Sequence, residues 1–129
     1  MKKYLICILA LSMFVILSLS GCSPNGPNPQ ELLDSYFTSA QHQDYAMTYT
    51  CYDSEYQKKV TKDEFVKHRK EASIVRSYKI LKLDTQKDTG QASVEIIYAP
   101  SEKFKRPEPV TIKVQEELIK EGNGWKIKV

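Results

Sequence analysis

The residues able to do covalent chemistry in this 129-residue chain are few, and its three cysteines come first. A thiol is a far stronger nucleophile than a hydroxyl, so a cysteine serves as a group acceptor, half of a disulfide, or a small packed core residue. Cys7 lies inside an apolar N-terminal run, and Cys22 follows Leu19-Ser20-Gly21. Cys51 stands between Thr50 and Tyr52 with no neighbouring base or cation to lower its pKa, and it reads as a buried core thiol. The two histidines have polar settings: His42 beside Gln41, Gln43 and Asp44, and His68 within Lys67-His68-Arg69-Lys70. Neither has a Ser or Cys nearby, as nucleophilic catalysis would need, and both read as solvated. No Cys/His spacing suits zinc, and no glycine pattern suits a phosphate or dinucleotide. No catalytic residue, metal or cofactor is therefore expected.

Acids and tyrosines are the remaining candidates. Glu95 lies between Val94 and Ile96, but strand alternation turns it away from both. Glu116 shares the parity of Ile112, Val114 and Leu118, yet Glu117 and Lys120 mark that stretch as exposed or fraying. Unpaired carboxylates are rarely buried, so both read as solvated. Tyr45, Tyr49, Tyr52 and Tyr56 are spaced as one helical face. They could line a ligand groove, but packing with the hydroxyls reaching water is the simpler reading. Residues 58–70 carry Lys58, Lys59, Lys62, Lys67, Arg69 and Lys70 against Asp63 and Glu64. An anionic membrane would attract such a stretch, but a solvated helix face explains it as well.

Composition narrows the partners. The chain carries 19 Lys and Arg against 16 Asp and Glu. Removing an N-terminal segment with Lys2 and Lys3 would bring the two signs almost level, so no nucleic-acid partner is expected.

The N-terminus has the anatomy of an export signal. Lys2 and Lys3 precede an apolar stretch, Leu5 to Leu19, broken only by Ser12 and Ser18. That stretch is short of the ~20 residues a permanent membrane helix needs. Its end, Leu19-Ser20-Gly21-Cys22, resembles the bacterial lipobox. The resemblance implies a signal peptide over residues 1–21, a diacylglyceryl group on the Cys22 thiol, and cleavage just before it. Two acyl chains give stable anchoring, so the expected place is the cell membrane, on its extracytoplasmic face. With Cys7 removed and Cys22 lipidated, Cys51 would have no partner within the chain, and the fold would rest on its core alone.

Positioning elements follow in order. Residues 22–28 form the lipidated cysteine and a flexible tether rich in proline, whose Ser23–Pro29 stretch could reach at most ~20–25 Å when extended. Asn28, Pro29 and Glu31 have the pattern of a helix start, and Leu32, Leu33, Tyr36, Phe37 and Ala40 recur at helical spacing over 29–43. A second helix is expected over 45–52 behind Asp44, and a short helical turn after Asp53-Ser54. A third helix is expected over 62–72, opened by the capping pair Thr61 and Glu64. The period then changes to two: strands are expected at 74–83, around Ala92–Tyr98, around Val110–Leu118, and from Trp125 to the end behind the turn Gly122-Asn123-Gly124. Three helices followed by a four-stranded antiparallel meander make one α+β domain over 29–129.

This order of elements resembles the nuclear transport factor 2-like (cystatin-like) superfamily, and more narrowly small bacterial lipoproteins that carry that domain. The likeness rests on Tyr36-Phe37, Asp44-Tyr45-Ala46, Ser54-Glu55-Tyr56, Thr61-Lys62-Asp63-Glu64-Phe65 and Gly124-Trp125-Lys126-Ile127. It implies a curved sheet wrapped round a helix to leave a hollow, with Trp125 buried against the helices. The superfamily includes ketosteroid isomerases, polyketide cyclases, scaffolds and ligand carriers, so the fold alone assigns no function. The expectation is a non-catalytic binding or interaction domain, tethered to the membrane and meeting a protein or a small apolar ligand. An isomerase- or cyclase-like enzyme and an accessory domain of a cell-wall enzyme or secretion complex are the alternatives.

Overall fold

The computed structural model describes residues 26–129, so the signal segment and Cys22 lie outside the described residues. Four helices, not three, precede the sheet: α1 (Pro29–Gln41), α2 (Tyr45–Thr50), α3 (Ser54–Lys59) and α4 (Lys62–Glu71). The extra element is the short turn expected after Asp53-Ser54. It lengthens into a helix because Asp53 accepts a hydrogen bond from the Tyr56 N–H at 2.6 Å and satisfies an otherwise orphaned donor. The expected capping pairs form at both longer helices: Asn28 with Glu31 at α1, and Thr61 with Glu64 at α4.

Four antiparallel strands follow in sequence order, β1 (Val75–Thr85), β2 (Thr89–Tyr98), β3 (Val110–Glu121) and β4 (Gly124–Lys128). β1 shifts register against β2 between Val75 and Ser77 and between Ile80 and Lys82, and such irregularities bend a sheet. The short β4 does not end the hydrogen bonding. The Ile127 N–H donates to the Cys51 carbonyl at 2.8 Å, and the Asp53 N–H donates to the Ile127 carbonyl at 2.9 Å. The link between α2 and α3 thus covers the β4 edge, and β1 is left as the open edge of the sheet.

The core lies between α1 and the inner face of the sheet. Leu32, Leu33 and Phe37 of α1 meet Val94, Leu118 and Ile127, all fully buried. Alternation along β2 works as the sequence implied: Ala92, Val94 and Ile96 are inside, while Ser93 and Glu95 are on the other face. Cys51 is buried in this core as a free thiol, and burial pushes its pKa up, away from nucleophilic character.

Candidate functional site

Two concavities flank the helical layer, and they are built differently. The first lies against α3 and α4, with a volume of about 400 Å³. Tyr52, Tyr56, Val60 and Phe65 form its apolar wall, Lys59 and Arg69 bring cations to it, and Glu64 and His68 complete the lining. The local sequence places each group. Asp53 caps α3 and sets Tyr56 one turn beyond Tyr52, with the two ring centroids 4.5 Å apart. Phe65 and Arg69 are one turn apart on α4 and so share a face. Tyr49 fastens α3 and α4 from behind, its hydroxyl donating to the Val60 carbonyl at 2.7 Å.

Behind Tyr52 the packing is all aromatic. Tyr36 meets Tyr52 edge-on at 5.5 Å, and their hydroxyls share a buried hydrogen bond of 2.6 Å. Burial holds the Tyr36 hydroxyl well above the usual tyrosine range, and the neighbouring Tyr52 adds to this. Burial likewise pushes Tyr52 up to about 12, against the opposing hydrogen bond from Tyr36 and the charge of Arg69. Both phenols are therefore neutral hydrogen-bonding groups at ordinary pH.

Arg69 is the unusual member. Its guanidinium lies over the Tyr45 ring, 5.7 Å from the centroid. Its Nε is buried without a hydrogen-bond partner, and none of the ion pairs among the described residues includes it. Arg69 acts electrostatically on Glu116, Tyr36 and Tyr52.

Glu116 departs from the sequence reading. It is half-buried rather than solvated, and desolvation raises its carboxyl pKa, with Arg69 pulling it back. The parity shared with Leu118 holds: Glu117 lies on the other face of β3, and Lys120, on the same face, is exposed beyond Leu118, opposite Trp125. Glu95 stands on the outer face opposite Lys79 and Lys113. His42 is exposed at the end of α1; His68 is also exposed, but on the rim of the first concavity. The tyrosine stripe divides: Tyr45 and Tyr49 are core, whereas Tyr52 and Tyr56 also line the hollow. Arg69 carried no separate signal in the sequence beyond its place one turn after Phe65, the only buried residue of α4.

The second concavity, of about 480 Å³, lies between the start of α1, the end of α2 and the start of β4. Pro27, Leu32, Met47, Cys51 and Trp125 give it an apolar character, with Glu31 and Lys126 at its margin. Trp125 packs against the core and is half-buried, where the resemblance implied a largely buried side chain. Tether residues take the place on its exposed side that a helix was expected to fill, and the Trp125 N–H donates to the Pro27 carbonyl at 3.2 Å.

No family model and no curated protein matches the sequence. Solved structures do. A SEC-C motif-containing protein from Rhodopseudomonas palustris superposes with a TM-score of 0.64 at 14% identity, covering 78% of this chain and 75% of its own. A calcium/calmodulin-dependent protein kinase type II association domain protein from Thiobacillus denitrificans gives 0.61 at 13%, covering 81% and 93%. An NTF2-like transpeptidase from Campylobacter jejuni gives 0.55 at 16%, covering 79% and 98%. At such identities the likeness speaks to the fold alone. The fold is nuclear transport factor 2-like: helices against one face of a four-stranded antiparallel sheet.

Proposed function

We propose that the mature protein is a lipoprotein anchored through Cys22 on the extracytoplasmic face of the cell membrane, where its hollow serves as a non-catalytic binding site. The anchor rests on the lipobox-like Leu19-Ser20-Gly21-Cys22 behind a short apolar segment. The binding role rests on one observation: Arg69, which joins no ion pair among the described residues, brings its guanidinium to a concavity walled by Tyr52, Tyr56 and Phe65. A small organic anion with an apolar body fits that chemistry. Its anionic head would meet the planar guanidinium fork, and its body would cover the rings.

Octanoate and octanol separate the two contributions. Calorimetry on the soluble domain should show saturable octanoate binding, a much weaker response to octanol, and roughly tenfold or greater loss in Arg69→Gln, as expected for a charge-assisted bond. Equal affinity for both probes, or an unchanged Arg69→Gln, would refute the site. The anchor has its own test. Fatty-acid label should enter the wild-type protein in cells and be absent from Cys22→Ser; label retained in that variant would refute the lipoprotein reading.

Glu116 supports a second reading as an enzyme. A carboxyl with a raised pKa, within electrostatic reach of the neutral Tyr36 and Tyr52 hydroxyls, has the parts of a proton-transfer site. Exchange of an acidic C–H proton of a bound ketone with solvent deuterium, lost in Glu116→Gln, would establish it. Absence of exchange under saturating ketone would leave the carrier reading in place.

A further inference from the structure

The second concavity sits where the chain enters the fold. Gly26 has a φ of +72° and lies directly against Gly124. A Cβ on Gly26 would stand 2.9 Å from the Gly124 Cα, and one on Gly124 would stand 3.0 Å from the Pro27 Cδ. With the hydrogen bond from Trp125 to Pro27, the chain is fixed to the start of β4 from Gly26 onward. Only the four-residue step from Cys22 to Gly26, and not the whole Ser23–Pro29 stretch, therefore separates Cys22 from the fixed chain. Four residues of chain span at most about 14 Å. A diacylglyceryl group on Cys22 would hold that residue at the level of the lipid glycerol, inside an interfacial layer that is itself roughly 5–8 Å deep. Much of that span is used in crossing the layer, and the Gly26–Trp125 end of the domain must then lie at the headgroup surface.

That end has the chemistry of an interfacial surface. Trp125 is the sole tryptophan and is half-buried, presenting an amphipathic indole of the kind that settles at membrane boundaries. Met47 is 46% exposed, with Leu32 and Pro27 beside it. Lys126 lies at the margin, its Nζ donating to the Thr50 carbonyl at 2.6 Å. We infer that the groove bounded by Pro27, Leu32, Met47 and Trp125 is the membrane-facing surface of the anchored protein, and that its occupant is a phospholipid of the membrane holding the anchor. The inference rests on the reading of Cys22 as the anchor, and it fixes an orientation that the anchor alone leaves open. It also places this groove, and not the hollow at Arg69, against the lipid.

Trp125 reports on this directly. The lipidated protein is purified from cells, its mass confirms the diacylglyceryl group, and it is reconstituted into phosphatidylcholine–phosphatidylglycerol vesicles with acyl chains brominated at carbons 6 and 7. Trp125 emission should fall roughly twofold relative to unbrominated vesicles, as for an indole at the interface. Met47→Glu, a change at an exposed position, should remove most of that quenching while the protein stays lipidated and folded. Lipidated protein with no bromine quenching overturns the inference. So does an indole shielded from acrylamide but untouched by bromine, which would mean that another protein covers the face. A protein lacking the diacylglyceryl mass would instead overturn the lipoprotein reading, and this inference with it.

Discussion

The two concavities have nearly the same size, about 400 and 480 Å³, and almost nothing else in common. The hollow at Arg69 is made of side chains held by other side chains: tilted and edge-on rings, a tyrosine pair and a capped helix. The groove at Trp125 also has side-chain walls, but at one end backbone approaches backbone, with two glycines in contact and proline beside them. A site of the first kind is preorganised and can discriminate by charge. A site of the second kind depends on whether the incoming chain stays docked. Volume alone does not separate them, whereas the origin of the walls does.

Substitutions can break this contrast at either end. Phe65→Ala should have the largest effect. Phe65 is 4% exposed and touches Tyr49, Tyr52 and Tyr56, so its truncation should cost about 3–5 kcal/mol and loosen the hollow. Denaturant melts will show it; a loss under ~1 kcal/mol would mean that the ring wall is not a rigid unit. Trp125→Ala should cost less, because the indole is only half-buried.

Gly26→Ala probes the other end. A side chain at φ +72° costs about 1–2 kcal/mol, and here its Cβ would also meet backbone. We expect a small drop in Tm together with new proteolytic cleavage near residues 23–28, the hollow keeping its octanoate affinity. Cleavage unchanged from wild type would show that the entry segment does not need its glycine contact.

Glu116→Gln should give the smallest shift. Burial raises the Glu116 pKa above its unfolded value, so its stabilising contribution is present in full below about pH 4.5 and is lost as pH rises through the folded pKa. The glutamine variant should therefore melt higher than wild type at neutral pH and match it in acid. A gap that widens in acid would reverse the sign and place Glu116 in a favourable ion pair instead.

Much of the fold was legible because it depends on local signals. The capping pairs at Asn28 and Thr61, the alternation of Ala92 to Ile96, and the Gly122 turn each act within a few residues. The site was less legible because it depends on distance. Tyr36 and Tyr52 meet across 16 positions, and nothing at either residue announces its partner. Glu117 and Lys120 hide Glu116 in the sequence, because the first lies on the opposite face of β3 and the second on the exposed stretch beyond Leu118. Arg69 was counted within a basic stretch, and only packing separates it from the exposed Lys67 and Lys70. The docking of Gly26 was hidden in the same way, because a glycine among prolines has the composition of a loose linker whether or not it is pinned.

The edge of β1, open among the described residues, bears on whether copies of the chain associate. An 11-residue edge strand, of which the Arg76 carbonyl already accepts from Gln41, is a template for strand-to-strand association. This edge is not left bare: Arg76, Lys79 and Lys82 are exposed along it, and its two register shifts break the regular ladder. Like charges facing one another across two such edges would repel, and the irregular backbone would offer no continuous pairing. The register shifts of β1 and the cations along it thereby oppose edge-to-edge pairing.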